Sequence, residues 1–279
     1  QGDMAKTKVH VHTNNPGKAL EYGLELGELV DLKIENMVDE RRADAPAPEA
    51  VEPPKQDLGP AKDFGMVAVS MGDGFSQIFR DLTVDTIVEG GQTMNPSIDD
   101  ILNAINGGNA NCVFVFPNNG NVILAAQQAA ELAEKEVHVI PTKNVAMGIA
   151  AAVSFQPESS GAENAERMAE AAQRVKTGTV TYAVRDSEWN GVHIHEGDII
   201  GLHNGAIEYS GSNVHDVVLE MMKPIVPDED SLITVYYGAD TSEADAEKIT
   251  EEIGGIYGSC DVECHRGGQP LYYYLISVE

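Results

Sequence analysis

Residues 43–62 divide the chain before any element is assigned. The run Ala43-Asp44-Ala45-Pro46-Ala47-Pro48 continues through Pro53-Pro54 to Pro60. Proline lacks the N–H that helices and sheet ladders use, and the interspersed carboxylates favour an extended, solvated linker. The chain is therefore expected to fold as two parts, a short one over 1–42 and a longer one over 63–279.

The short part reads as strand, helix, strand. Lys8 to Thr13 alternates apolar residues with histidines, as a half-buried strand does, and Asn14-Asn15-Pro16-Gly17 breaks it. Pro16 suits the first helical turn with an asparagine before it as cap, and Ala19 to Leu29 has apolar residues at helical spacing. Val30 to Met37 alternates again. A β-α-β unit of this size buries little surface by itself. It is expected to be the end of something longer, or to lean on a neighbour.

The longer part alternates strands and helices. Gly65–Ser70, Val84–Val88, Cys112–Phe116 and Glu136–Ile140 read as short apolar strands. Helices are expected over Phe75–Leu82, Ser97–Ile105 and Asn121–Glu134, with Ser97 capping the second. Residues 145–175 read as helical with a break at Gly161. This pattern predicts an α/β fold with a parallel sheet covered by helices. A second lobe is expected from about Thr177, so that the lobes run over roughly 63–175 and 176–279. In that lobe Asn190-Gly191 marks a hairpin, and further strands surround helices over Asn213–Met222 and Ser242–Ile253.

Charge narrows the partners. The formal net charge is −27, from 45 acidic and 18 basic residues. Such a surface repels nucleic acid and anionic membranes, and suits either plain solubility or a partner with a basic face. No apolar run approaches the ~18 residues of a membrane helix, and Gln1-Gly2-Asp3-Met4 lacks a signal-peptide layout. A cytoplasmic protein is expected. The three cysteines, Cys112, Cys260 and Cys264, do not make a secreted disulfide scaffold, and Cys112 reads as a buried apolar residue.

Several groups can carry chemistry, and each has a plainer reading. His10 and His12, two apart on a strand, leave one face and can offer two nitrogens to Zn²⁺, or can simply be polar residues on an outer face. His193 and His195 repeat the spacing on what reads as a solvated strand. Cys260, Cys264 and His265 cluster in sequence, but not at a standard finger spacing. Gly72-Asp73-Gly74 can turn amides toward an anion, although Asp73 opposes one. Gly90 to Ser97 and Pro117 to Asn121 follow strands, where α/β sheets hold their ligands. Both also read as tight turns with helix caps. No nucleotide-binding glycine motif and no nucleophile elbow occurs.

Longer runs carry a resemblance. They are Lys8 to Gly17, Val88 to Ser97, Pro117-Asn118-Asn119, Val139-Ile140-Pro141-Thr142-Lys143, Lys176 to Asp186, and Gly267-Gly268-Gln269-Pro270-Leu271-Tyr272. Together they resemble FakA proteins, the ATP-binding components of fatty acid kinases, which also carry the labels dihydroxyacetone-kinase-like and DAK phosphatase. The resemblance implies a transferase of lipid metabolism in three parts: an N-terminal kinase domain holding ATP and magnesium, a middle domain, and a two-lobed DegV-like domain. Residues 1–42 then match the end of the middle domain and 63–279 the DegV-like domain. Nothing in this chain matches the ATP site, so the resemblance implies that it is inactive alone. His10 and His12 match two histidines that hold zinc in the family together with an upstream cysteine, which has no counterpart here.

The DegV-like domain resembles the carriers called FakB, which present a fatty acid for phosphorylation. Thr93, Asn95, Ser97 and His265 look like degenerate counterparts of the carriers' head-group residues, with Asn118 and Asn119 where carriers have a serine-rich turn. Met94 replaces a hydroxyl donor. The resemblance thus implies a domain that kept the fold, lost the lipid and docks a FakB-type partner beside its own kinase domain, with a homodimer expected. The alternative is a DegV-like module that itself binds a fatty acid. An independent phosphatase has only the old label behind it.

Overall fold

A computed structural model describes residues 15–27, 61–91, 95–189, 192–226 and 231–279. The chain falls into two units, Gln1–Asp57 and Leu58–Glu279, that part within the proline-rich stretch. In the first unit, helix α1 spans Pro16–Leu26 with Pro16 in its first turn, and the amide of Lys18 donates to the carbonyl of Asn15 at 3.1 Å. The two strands expected around α1 lie outside the described residues.

The second unit opens with β1 at Lys62–Ser70, so the last residue of the expected linker already belongs to a strand. There follow α2 (Asp73–Asp81), β2 (Thr86–Glu89), α3 (Ile98–Gly107), β3 (Ala110–Phe116), α4 (Ile123–Leu132) and β4 (Glu136–Val139). Next come α5 (Val145–Val153) and α6 (Gly161–Arg174). The four strands form a parallel sheet in the order β2-β1-β3-β4. β2 starts later than the apolar run at Val84 suggests. Thr83 takes φ 64°, and the amides of Thr83 and Val84 turn back to the carbonyls of Arg80 and Phe79.

Both faces of this sheet are buried, and alternate residues divide between them. Met66, Ala68, Cys112, Phe114 and Phe116 pack with Phe75 and Phe79 of α2 and with α5 and α6. Val67, Val69, Val113 and Val115 pack on the other face with Ile101 and Ile105 of α3 and with Ala126 and Ala129 of α4. Continuous apolar runs are what a sheet covered on both sides requires. The helices start where their caps are. Ser97 and Asp100 form a reciprocal capping box at α3, and Ser160 and Glu163 form another at α6. Asn164, fully buried, accepts from the amide of Gln156 at 2.9 Å and donates to its carbonyl at 2.8 Å, which fixes the turn between α5 and α6.

The second lobe holds β5 (Lys176–Tyr182), the hairpin β6 (Ser187–Trp189) and β7 (Val192–Ile194), β8 (Ile199–His203), β9 (Ala206–Gly211) and α7 (Val214–Met222). It ends with β10 (Leu232–Tyr237), α8 (Glu243–Ile256), β11 (Asp261–Arg266) and β12 (Tyr274–Val278). Six of these strands form a mixed sheet in the order β11-β10-β12-β5-β8-β9, in which β10 and β11 are parallel and the other pairs antiparallel. One face carries Val235, Tyr237, Tyr274 and Ile276 under α7 and α8. The opposite face sends Tyr236 and Leu275 into the core of the first lobe. The lobes therefore share a hydrophobic core.

Candidate functional site

In an open parallel sheet the loops after the strand C-termini face a ligand. Here that edge carries Ser70 to Gly74 after β1, Gly90 onward after β2, and Pro117 to Asn121 after β3. A cleft at this edge, of about 750 Å³, is lined by Ser70, Met71, the Gly72–Gly74 turn, Gln77 and Arg80 of α2, Glu89 and Arg266. Its walls are largely polar and charged.

Two glycine runs meet beside this cleft. The amide of Phe75 donates to the carbonyl of Gly267 at 3.1 Å. A Cβ on Gly74 would stand 1.9 Å from the Arg266 carbonyl oxygen, and one on Gly267 would stand 2.7 Å from the Phe75 ring. Gly72 (φ 103°) and Gly268 (φ 69°) take the left-handed conformations that this close approach uses. The Arg266 guanidinium pairs with the Asp73 carboxylate and holds its carboxyl below the usual carboxylate range. Phe75 and Tyr236 pack with ring centroids 5.1 Å apart beneath the pair. The turn that could have aimed amides at an anion thus spends the Phe75 amide on Gly267.

The residues singled out from sequence are largely committed to the chain itself. Ser97 accepts from the amide of Asp100 at 3.1 Å and donates to its carboxylate at 2.7 Å. Asn118, buried with φ 53°, donates through Nδ2 to the Val69 carbonyl at 2.9 Å, and its amide donates to Thr142 Oγ1 at 3.0 Å. Asn119 donates to the Gly91 carbonyl at 3.1 Å and stands 3.4 Å from Asn95 Oδ1. These four residues thus gather at one edge of the sheet. His265 lies on β11, half exposed, with Nε2 3.2 Å from Glu263 Oε2. It does not line the cleft; its neighbour Arg266 does. Two polar atoms at this edge, Ser70 Oγ and Asn118 Oδ1, are buried without a partner. Thr93, His10 and His12 lie outside the described residues.

Arg80 and Arg266 join the site without a motif that marks them in the sequence, and Asp73, expected to oppose an anion, pairs with Arg266. Their signal is the pair of glycine runs at 72–74 and 267–268, which become informative only once they are known to touch. Cys260, Cys264 and His265 do not converge: Cys264 packs against the core under α8, whereas His265 lies near Tyr236 on the other face. The β6–β7 hairpin pairs His193 with Glu188, and His195 beyond it is exposed, as the spacing suggests. Among the described residues, the side chains of metal-ligating type that do converge are Cys112, Glu136 and His138. Burial, with the Glu136 carboxylate second, pushes the Cys112 thiol up to about 11.

Comparison with known proteins places the chain. Residues 65–279 match the FakA-like family of fatty acid kinases over its C-terminal domain, and residues 1–44 match the middle domain of the same family. Protein YloV of Bacillus subtilis is 38% identical over 278 residues, covering 99% of this chain and 50% of that protein. An uncharacterized protein of Staphylococcus aureus is 37% identical over 277 residues, covering 99% of this chain and 50% of its own length. The chain therefore spans about half the length of the curated relatives it matches. Among solved structures, DegV, a fatty acid binding protein from Bacillus subtilis, superposes with a TM-score of 0.55 at 12% identity over 78% of this chain and 99% of that one. The Streptococcus pneumoniae fatty acid kinase B3 protein, loaded with linoleic acid, gives 0.51 at 14% identity over 78% and 99%. At such identity these likenesses speak for the DegV-like fold alone.

Proposed function

The chain belongs to the FakA-like family of fatty acid kinases, and we propose that its DegV-like domain docks a separate, fatty-acid-carrying partner of the FakB kind instead of holding an acyl chain itself. The whole protein would then transfer the ATP γ-phosphate to the carboxylate of the partner's fatty acid, through a kinase domain that this stretch of sequence does not match. His10 and His12 would hold zinc in the middle domain.

The observation that best supports this reading is the state of the polar side chains at the ligand edge. Ser97, Asn118 and Asn119 are hydrogen-bonded to their own fold, and His265 is held by Glu263. A fatty carboxylate there would have to compete with the fold's own partners for these side chains, a cost of about 2 kcal/mol or more. The neighbouring cleft, framed by Asp73, Arg80, Glu89 and Arg266, has Met71 as the one apolar side chain in its lining. A polar, charged cleft beside a rigid lobe junction suits a protein surface better than a lipid tail.

A second reading, a lipid-binding module, has one observation in its favour: Ser70 Oγ is buried without a partner at this edge, and its hydroxyl could donate to a fatty carboxylate. Size-exclusion chromatography of the chain with a purified, lipid-loaded FakB-type carrier separates the two. Co-elution that weakens when Arg80 and Arg266 are changed to Glu supports docking. Independent elution at concentrations of about 100 μM, far above the usual range of specific complexes, speaks against it.

A further inference from the structure

β3 and β4 pair in parallel with Cys112 opposite Glu136 and Phe114 opposite His138. Glu136 and His138 are two apart on one strand and share its face, and Cys112 lies on that face of the neighbouring strand. The thiol sulfur, a carboxylate oxygen and a ring nitrogen lie within 4.8 Å of one another. His138 Nε2 and Glu136 Oε1 are 2.7 Å apart. The His138 ring is steadied by stacking on Phe114, with centroids 5.7 Å apart.

Above them sits Gly161, the first residue of α6. A Cβ there would stand 2.9 Å from Cys112 Sγ, 2.9 Å from Glu136 Oε1 and 3.2 Å from His138 Nε2. The helix start therefore lies close against all three donor atoms, an approach that only a residue without a side chain allows. Zinc bonds to these donor types run about 2.0–2.3 Å, so donors around one ion stand about 3–4 Å apart, a spacing that three atoms within 4.8 Å of one another reach with small side-chain adjustments.

We propose that Cys112, Glu136 and His138 form a site for one divalent transition metal of the zinc class, with water as the outer ligand. The donor set selects the metal class. Thiolate and imidazole favour zinc and its neighbours, while magnesium and calcium take oxygen ligands. Cys112 is buried and Glu136 is exposed, so three protein ligands hold the metal from within and the fourth position faces solvent. Such a metal staples β3 to β4 beneath the start of α6. It uses neither histidine of the short N-terminal part and is independent of the docking reading.

The test titrates the full chain, stripped with a chelator, with Co²⁺ as a spectroscopic stand-in for zinc. The expected result is a sulfur-to-cobalt charge-transfer band that saturates at about one equivalent of metal. It is lost in Cys112→Ala, in His138→Gln and in Gly161→Ala, whose methyl group presses on all three donor atoms. It persists in the His10→Ala/His12→Ala double variant. Circular dichroism verifies that each variant is folded, and His138→Gln and Gly161→Ala decide the matter if Cys112→Ala is not. Absence of the band in the folded wild-type chain overturns the site. So does a band that survives in folded Cys112→Ala, whose sulfur would then be Cys260 or Cys264, or one that survives unchanged in both His138→Gln and Gly161→Ala.

Discussion

Phe75 gives its amide to the carbonyl of Gly267 at 3.1 Å, and through this bond the first turn of α2 and the loop after β11 become one structure. The contact joins a parallel lobe to a mixed one over a separation of nearly the whole unit, and the Asp73–Arg266 ion pair flanks it. Backbone meets backbone here, so the junction tolerates no side chain on its glycines.

Gly74→Ala is therefore expected to destabilise the chain by about 1–3 kcal/mol, because its Cβ would meet the Arg266 carbonyl, which cannot rotate away. Gly120→Ala is the control, with nothing within 4 Å of its Cβ, and is expected to change stability by no more than about 0.5 kcal/mol. Urea unfolding midpoints measure both, and equal effects would remove the steric account of the junction.

Gly148 and Asn118 make a second close pair, since a Cβ on Gly148 would stand 2.1 Å from Asn118 Oδ1. Gly148→Ala should destabilise the wild-type chain. In an Asn118→Ala background the clash is gone, and alanine is favoured over glycine inside a helix by about 1 kcal/mol. A double-mutant cycle should show coupling of about 1 kcal/mol or more. Additive effects would mean that the two residues are further apart than described.

Asn164→Ala empties a fully buried position and leaves the amide and carbonyl of Gln156 without their partner in a partly exposed turn. A loss of about 1–3 kcal/mol is expected by denaturant unfolding. A neutral result would mean that water replaces the asparagine freely.

His215 lies between Glu252 and Asp216, and its hydrogen bond to Glu252, then that to Asp216, raises its pKa above the ordinary 6.5. A raised folded-state value means that the stabilisation is complete below about 6.5 and is lost as pH rises through the folded pKa. The difference in melting temperature between wild type and His215→Gln should thus be largest in mildly acidic buffer and shrink in alkaline buffer. A difference that grows with pH would reverse the assignment.

The parallel lobe is legible in the sequence because its determinants are local. Apolar runs such as Cys112–Phe116 mark strands buried on both faces, and Ser97 with Asp100 announces a helix start within four residues. The mixed order of the second sheet is not legible, because it depends on which distant strands meet: β5 lies between β8 and β12. The same limit hides the metal-ligating cluster. Cys112 reads as an apolar residue until the register sets it opposite Glu136, and only then does the Glu136-Val137-His138 spacing acquire a third ligand. Loop position alone points to the edge formed by Asn95, Ser97, Asn118 and Asn119, but the internal commitments of those side chains depend on partners such as Val69 and Gly91 that no motif names.

Whether this domain houses a lipid or meets one on another protein decides the account. Native mass spectrometry of the full chain, purified from cells grown with long-chain fatty acids and sprayed without organic solvent, reads this directly. A protein that docks a carrier gives the mass of the bare polypeptide, allowing for metal. A stoichiometric peak heavier by one fatty acid, removed by delipidation and restored by adding the acid back, would contradict it.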